Sequence, residues 1–459
     1  MLNKFIGDRA FYRRLILLML PIMVQNGITN FVNMLDNIMI GAVGTAQMTG
    51  VAVSNQLIFV FNLCIFGAVS GAGIFGTQFF GSGDHEGVRH TFRFKFLFCG
   101  LITVLGILLF LFYGEPLLNL YMQGDEGVTD AASTLQYARS YLRITLIGLL
   151  PYTIVQCYSS TLRESANPTP PMVAGVAAVL TNLCLNYVLI FGKFGAPALG
   201  VDGAAIATVI SRFIELGIIV VWAHGDKKSF PFMRGVYSTL YVPRKRVAQL
   251  FVNGLPLMIN ETLWAAGIAL VNQCYSMRGL DAVAAGNISQ TFWNVFSIAY
   301  MAVGNAVGIL IGQMLGAGKL KEAKEASTRM ISFAFLIAVC IGAVYSFVAQ
   351  YIPMIYNTEP EIRALATLLM QITALTMPFE ALTHASYFTL RSGGRMIITI
   401  IFDSGFIWCV NVVLAVFLSR FTTVPFVWMF AAVHFTCVLK AAFGIYLVHK
   451  GSWIRNIVS

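Results

Sequence analysis

Residues 20–23 read LPIM and residues 255–258 read LPLM, and each tetrad opens a stretch that aligns without a gap at a shift of 235 positions, 20–83 onto 255–318. Asn37 then meets Asn272, Gly44 meets Gly279, Ser54 meets Ser289, Val60-Phe61 meets Val295-Phe296, and Gly73-Ile74 meets Gly308-Ile309. The stretch closes on GTQFFGSG (76–83) against IGQMLGAG (311–318). Apolar segments match one another by composition alone, so the paired Pro, Asn, Gln and Gly residues are the evidence. Later in each half TLR recurs, at 161–163 and 389–391. The chain is a duplicated unit.

What is duplicated follows from composition. Of 459 residues 58% are hydrophobic and only 11% charged, with a mean hydropathy of +0.76. A soluble domain carries roughly a quarter of its residues as charges, so this surface must face lipid. A helix crosses a bilayer core with about 20 apolar residues. Such runs fall at 15–40, 52–79, 92–113, 137–160, 172–192, 200–222, 247–275, 286–315, 328–352, 364–389, 396–418 and 424–448. The expected fold is an all-α polytopic membrane protein of about twelve transmembrane helices. It divides into an N-terminal six-helix lobe (1–222), a basic linker (223–246) and a C-terminal six-helix lobe (247–459). Six helices per half insert both halves the same way up, a parallel repeat about an axis along the membrane normal; transporters built so bind substrate between the halves. The first apolar run, Leu15 to Ile40, is too long for a cleaved signal and is interrupted by Pro21 and Asp36.

Charge placement sets the orientation. With the N-terminus cytoplasmic, 22 of the 30 Lys and Arg residues fall on the inner side, among them Lys4, Lys95, Lys228 and Arg391, and six on the outer side. The acidic residues Glu115, Asp125, Glu126 and Asp130 fall outside as well. The positive-inside bias places both termini in the cytoplasm, in a multi-pass inner membrane protein. The net charge of +10 does not signal nucleic acid, because the cations sit singly or in small groups between apolar runs. The eight cysteines all lie in apolar segments without a CxxC or Cys/His pattern, which reads as free thiols and no metal site. Gly304, Gly308, Gly312 and Gly316 share one helix face, which suits either static close packing or a sliding surface.

Five acids lie within the apolar runs: Asp36, Glu215, Glu261, Glu380 and Asp403. A carboxylate at mid-membrane is costly unless protonated, paired or hydrated. Glu215 has Arg212 one turn earlier for an ion pair. Asp403 lies close enough to a helix end to reach interfacial water. Asp36, Glu261 and Glu380 have no cation within four residues and sit among Asn33 and Asn37, Asn260 and Thr262, Thr383 and His384. Such surroundings suit a hydrated cavity or a cage of oxygen ligands for a cation. His384 and His434 read as packing residues. Tyr152, Gln156, Asn287, Gln290, Trp293 and Asn294 are candidate cavity-lining residues.

LPIMVQNGITNFVNMLDNIMIG (20–41), GTQFFGSGD (76–84) and GVDGAAIATVISR (200–212) resemble the multidrug and toxic compound extrusion (MATE) transporters, in their NorM-like branch, and the likeness extends over the whole chain. The resemblance implies two bundles around a central cavity and export of organic cations and other drugs, driven by inward Na⁺ or H⁺ flow. It implies a coupling-ion site of Asp36, Asn182, Asn186 and Thr208 in the N-terminal lobe, with Pro21 kinking the first helix. Asn186 stands where some members have Asp, which weakens a cation site there. In the C-terminal lobe it implies Glu261 and Glu380, which the reading takes as one site. The expected partners are cationic small-molecule drugs and the lipid bilayer, not nucleic acid, with the protein acting as a monomer and needing no cofactor beyond the coupling ion. A lipid-linked saccharide flippase of the same superfamily is the alternative function. A membrane enzyme is disfavoured for want of clustered acids or His-acid motifs at a membrane face, and no selectivity-filter segment supports a channel.

Overall fold

The computed structural model describes residues 7–122, 131–356 and 358–458; Lys4, Asp125, Glu126 and Asp130 lie outside them. The described residues form helices α1 (Arg9–Gly41), α2 (Thr45–Ser82), α3 (His85–Met122), α4 (Ala131–Glu164), α5 (Thr169–Phe191), α6 (Gly200–Gly225), α7 (Arg244–Ser276), α8 (Leu280–Phe296), α9 (Ile298–Gly316), α10 (Leu320–Val348), α11 (Pro360–Ser392), α12 (Met396–Ile400), α13 (Val413–Phe421) and α14 (Phe426–Lys450), and no strand. Only Ser297 separates α8 from α9, and π-helical turns at Ile401–Gly405 and Ile407–Val412 join α12 to α13. Eleven of the segments are long and apolar enough to cross a membrane. The twelfth expected span, α4, is helical over 34 residues but more polar, because it carries Arg139 and Arg143. The protein is a multi-pass membrane protein.

The repeat is visible in the kinks and the packing. Proline lies inside α1 and α7 at Pro21 and Pro256, and inside α4 and α11 at Pro151 and Pro378. These are the first and fourth spans of each half. An internal proline cannot donate to the carbonyl four residues back and bends the helix there. In the first half α4 packs on α3 and α6, and in the second half α11 packs on α10 and α14.

The chain divides into two compact units that are not continuous in sequence. One comprises Met1–Met23, Thr77–Asp84 and Ile259–Ser459, the other Val24–Gly76 and His85–Met258. Helices α1, α2 and α7 therefore pass from one unit into the other along their length. Glycine seats the crossing segments of α2 and α7. In the second unit Gly71 of α2 lies against the Gly254 backbone of α7, and Gly67 against Met258.

In the first unit the decisive sequence motif explains itself. A methyl group at Gly81 would overlap the carbonyl of Gln313, and one at Gly316 would overlap the carbonyl of Gln78. Between these contacts Gly312 faces Thr77. Gly83 and Gly318 take left-handed conformations, φ 78° and 75°, and end α2 and α9 as glycine readily does. The two motifs thus cross each other through repeat-equivalent residues. The glutamines tie the crossing to both chain ends. Gln78, fully buried, donates to Ser392 O at 2.9 Å and accepts from Ile457 N at 2.9 Å. Gln313 accepts from Arg14 Nη2 at 3.2 Å, and Asn456 donates to Gly316 O at 3.2 Å.

The segment between α6 and α7 is docked, not loose. Arg93 of α3 donates to Val236 O at 2.8 Å and to Gly235 O at 3.1 Å, and Tyr158 and Tyr237 share a 2.6 Å hydrogen bond. Deeper in the same unit Lys95, wholly buried, binds Glu164 at 2.6 and 2.7 Å, with Ser160 and Thr161 completing its shell. Gly73 and Gly76 leave room on α2 for that carboxylate. Lys95 and Arg391 (below) are buried ion-pair partners and not surface cations, which removes two from the inner-side count without changing its direction.

Candidate ion and substrate site

In the unit built around 24–76 and 85–258, Asp36 of α1 meets α5 and α6. Asn182 and Asn186 are one turn apart on α5 and both buried, so their amides face the same neighbours. Asn186 Nδ2 donates to Asp36 Oδ1 at 2.8 Å. Asn182 completes the set in either of two amide orientations. With its NH₂ toward α1 it donates to Asp36 Oδ2 at 2.8 Å and accepts from Thr208 Oγ1 at 3.3 Å. With its oxygen toward α1 it accepts from Asn186 Nδ2 at 3.1 Å and donates to Thr208 Oγ1 at 3.3 Å. The first orientation satisfies the groups better, since the second sets two acceptors, Asp36 Oδ2 and Asn182 Oδ1, against each other. Asn186 Oδ1 is buried with no hydrogen-bond partner among the described residues. One turn along each helix the lining turns apolar, at Ile40, Ile190, Val201 and Ala204. The structure thus brings Asp36, Asn182, Asn186 and Thr208 together.

In the other unit each acid has its own set of partners. Glu380 of α11 accepts from Trp293 Nε1 and Tyr300 OH, both at 2.9 Å and both on Oε2. Those donors come from α8 and α9, on either side of the Ser297 break. Glu261 of α7 accepts from Tyr387 OH at 2.7 Å, and Arg391 Nη1 lies 3.7 Å from its Oε1. Among the described residues no hydrogen bond or ion pair joins Glu261 to Glu380; each carboxylate has its own partners.

A MatE family profile matches residues 21–188 and 256–417, one block in each half. The chain belongs to the MatE family. Both blocks open on the prolines of the repeat, Pro21 and Pro256. Among curated MatE relatives, a probable multidrug resistance protein NorM of Thermotoga maritima is 25% identical over 453 residues, covering 97% of this chain and 94% of the relative. Multidrug resistance protein MdtK of Pectobacterium atrosepticum is 26% identical over 369 residues, 79% of this chain and 78% of the relative. Among solved structures, an outward-facing multidrug resistance MATE transporter of the MOP superfamily superposes with TM-score 0.83 at 15% identity, over 98% of both chains. A mutant MATE transporter of Vibrio cholerae gives 0.85 at 16% identity, over 97% of this chain and 98% of that one. These structures share the MatE fold.

Within this MatE fold the five intramembrane acids sort by partner. Glu215 pairs with Arg212 at 3.1 Å. Asp403 departs from the expectation of interfacial water: it is buried, bound by Lys440 Nζ at 2.9 Å and by Asn260 Nδ2 at 3.0 Å. The π-helical turn turns it inward, and Ser404 beside it donates to Asn260 O at 2.7 Å. Glu261 has Arg391 nearby. Among the described residues Asp36 and Glu380 have neutral donors only. Of the cavity candidates, Trp293 is a donor to Glu380, Tyr152 lies under the Arg212 guanidinium at 4.9 Å, and Gln290 donates to Asn294 Oδ1 at 3.1 Å. Asn287, Gln290 and Asn294 are exposed, and Gln156 is half-buried. Lys440, Tyr300, Tyr387 and Arg391 are the residues that sequence reasoning missed as partners. Only Arg391 carried a signal, as the end of the repeated TLR.

Proposed function

We propose that this MatE transporter is a cation-coupled antiporter that exports organic cations and other drugs across the cytoplasmic membrane by alternating access, with both termini cytoplasmic. The observation that carries the reading is the sorting of the acids. Asp36 and Glu380, one in each unit, are carboxylates in membrane-spanning helices, and among the described residues their hydrogen-bond partners are neutral donors. A carboxylate so placed favours a proton or a small cation beside it. Asn182 and Thr208 add amide and hydroxyl groups beside Asp36, a polar set suited to a small cation. An organic cation competes for the same negative charge, and that competition couples the two fluxes through the states each ligand prefers. The multidrug names of the curated relatives agree with this reading. The coupling ion is Na⁺ or H⁺, and the protein works as a monomer.

Reconstitution in liposomes tests it. A fluorescent organic cation should leave the lumen-equivalent side only when a Na⁺ or a pH gradient is imposed, and Asp36→Asn and Glu380→Gln should each lose the gradient-driven component. Transport that ignores both gradients would refute the antiporter reading.

A further inference from the structure

Among the described residues four ion pairs have a carboxylate no more than 12% exposed, and three of them close at hydrogen-bond distance: Lys95–Glu164 at 2.6 Å, Lys440–Asp403 at 2.9 Å and Arg212–Glu215 at 3.1 Å. The fourth is open. Arg391 Nη1 stands 3.7 Å from Glu261 Oε1, with side-chain exposures of only 7% and 12%. Nη1 has no hydrogen-bond partner at all. A settled buried arginine and carboxylate close to about 2.8 Å, often through two parallel bonds. Here the carboxylate is hydrogen-bonded by Tyr387 instead, and the guanidinium rests 5.4 Å from the Phe388 ring and 5.8 Å from the Tyr387 ring. Those rings hold the cation without using Glu261.

The acid's side of the pair is the fixed one. Asn260, adjacent to Glu261, is fully buried and clamped by Asp403, by Ser404 and, through Asp403, by Lys440. The slack therefore lies with Arg391. The repeat shows which partner was added. Arg163 ends the TLR of the first half, and its Nη2 donates to the neutral Gln25 at 2.7 Å on α1. At the shift of 235 positions Gln25 aligns with Asn260, and Asn26 with Glu261. The arginine belongs to the shared framework; the carboxylate is peculiar to the second half.

We infer that Arg391 is a tethered cation that stands in for the coupling ion at Glu261 and is displaced when that ion binds. The inference deepens the antiporter reading and rests on it for the identity of the displacing ion. A bare ion or a proton approaches a carboxylate oxygen more closely than a guanidinium held back by its rings. Its arrival leaves Arg391 without a counter-charge, so binding exchanges one positive charge for another and favours whichever conformation gives the guanidinium a new partner. Among the described residues the charged and titratable groups beside Glu261 are Tyr387 and Arg391 of α11 and, across Asn260, Asp403 of the π-helical segment, itself bound to Lys440 of α14. All but Arg391 are held in the closed bonds described above.

The test is ion-dependent thermal unfolding of the purified full-length protein, with NaCl against choline chloride at fixed pH, and with pH varied in the absence of Na⁺. In Arg391→Gln the stabilising ion should act at a concentration lower by about tenfold or more than in wild type, because its competitor is gone. Arg391→Lys should return the wild-type concentration, and Glu261→Gln/Arg391→Gln should show no ion-specific rise. Equal responses in wild type, Arg391→Gln and the double variant would overturn the inference. Should Arg391→Gln fail to survive extraction, Glu261→Gln carries the test. It should be less stable than the double variant, which no longer buries an uncompensated guanidinium; a double variant below both singles would overturn the inference equally. No drug enters these melts, so a wild-type protein that exports no organic cation would refute the proposed function and leave this result standing.

Discussion

Gly81 and Gly316, 235 positions apart in the chain, each press against the backbone of the other's helix, Gly81 on the Gln313 carbonyl and Gly316 on the Gln78 carbonyl. Two copies of one motif have become each other's binding surface. Backbone meets backbone there, so neither position has a flexible side chain that could yield.

Alanine at either glycine should therefore be severe. Gly81→Ala and Gly316→Ala should each lower stability by about 3 kcal/mol or more, at or beyond the usual cost of overpacking. Gly217, on the face of α6 where an added methyl meets nothing within 4 Å, is the control. Gly217→Ala should change stability by no more than about 1 kcal/mol, in the stabilising direction expected of helix propensity. Melting curves of the three purified variants decide the matter, and a tolerant Gly81→Ala would show that the crossing is looser than described.

Lys95 and Glu164 offer a test of buried charge. Lys95→Met removes this cation from the buried carboxylate and should cost about 3–5 kcal/mol. The double variant Lys95→Met/Glu164→Gln removes both charges and should recover most of that loss. If the double variant were as unstable as Lys95→Met, packing and not charge would be the source of the pair's contribution.

Asn186 stands beside Asp36 at 2.8 Å, so Asn186→Asp puts a second carboxylate where the amide now donates. The variant should bind Na⁺ at least about tenfold more tightly than wild type, since like charges at this range favour a cation between them. Asp36→Asn should bind none at this site while keeping its melting temperature. Radiolabelled Na⁺ binding to the purified proteins measures both, and unchanged affinity in Asn186→Asp would remove Asp36 from the list of cation ligands.

Lys228 and Lys193 are both exposed, and the cation bias puts them on opposite sides of the membrane. Single cysteines at these positions, in a background freed of the native thiols, should react with an impermeant maleimide from opposite faces. Labelling of both from the same face would refute the orientation.

The sequence revealed the spans because each apolar run is long, and it revealed the duplication because glycine and proline are retained where backbones touch or bend. The family resemblance grouped Asn182 with Asn186, and their spacing of four puts them on one face of α5. The sequence could not show that Arg391 looks toward Glu261, or Lys440 toward Asp403. Both contacts depend on how far one helix is rotated against another, and apolar runs leave that rotation undetermined. The π-helical turns at 401–412 were equally hidden, since IFDSGFIWCVNV contains no proline and its single glycine is unremarkable in a membrane helix. Asp403 was misjudged for that reason: an ordinary helix would have carried it toward a different neighbour.

The three helices that pass between units have a genetic consequence. A gene cut within the segment joining α6 to α7 would yield two polypeptides, each holding a fragment of both units. The first would carry the strand of chain at Thr77–Asp84 that its own unit does not contain, and the second would lack the Met1–Met23 piece that its unit requires. Co-expressed, they should reassemble as split proteins do; expressed singly, each should be cleared by the cell's proteases. Through these exchanged helix ends each repeated half becomes the other's obligate folding partner.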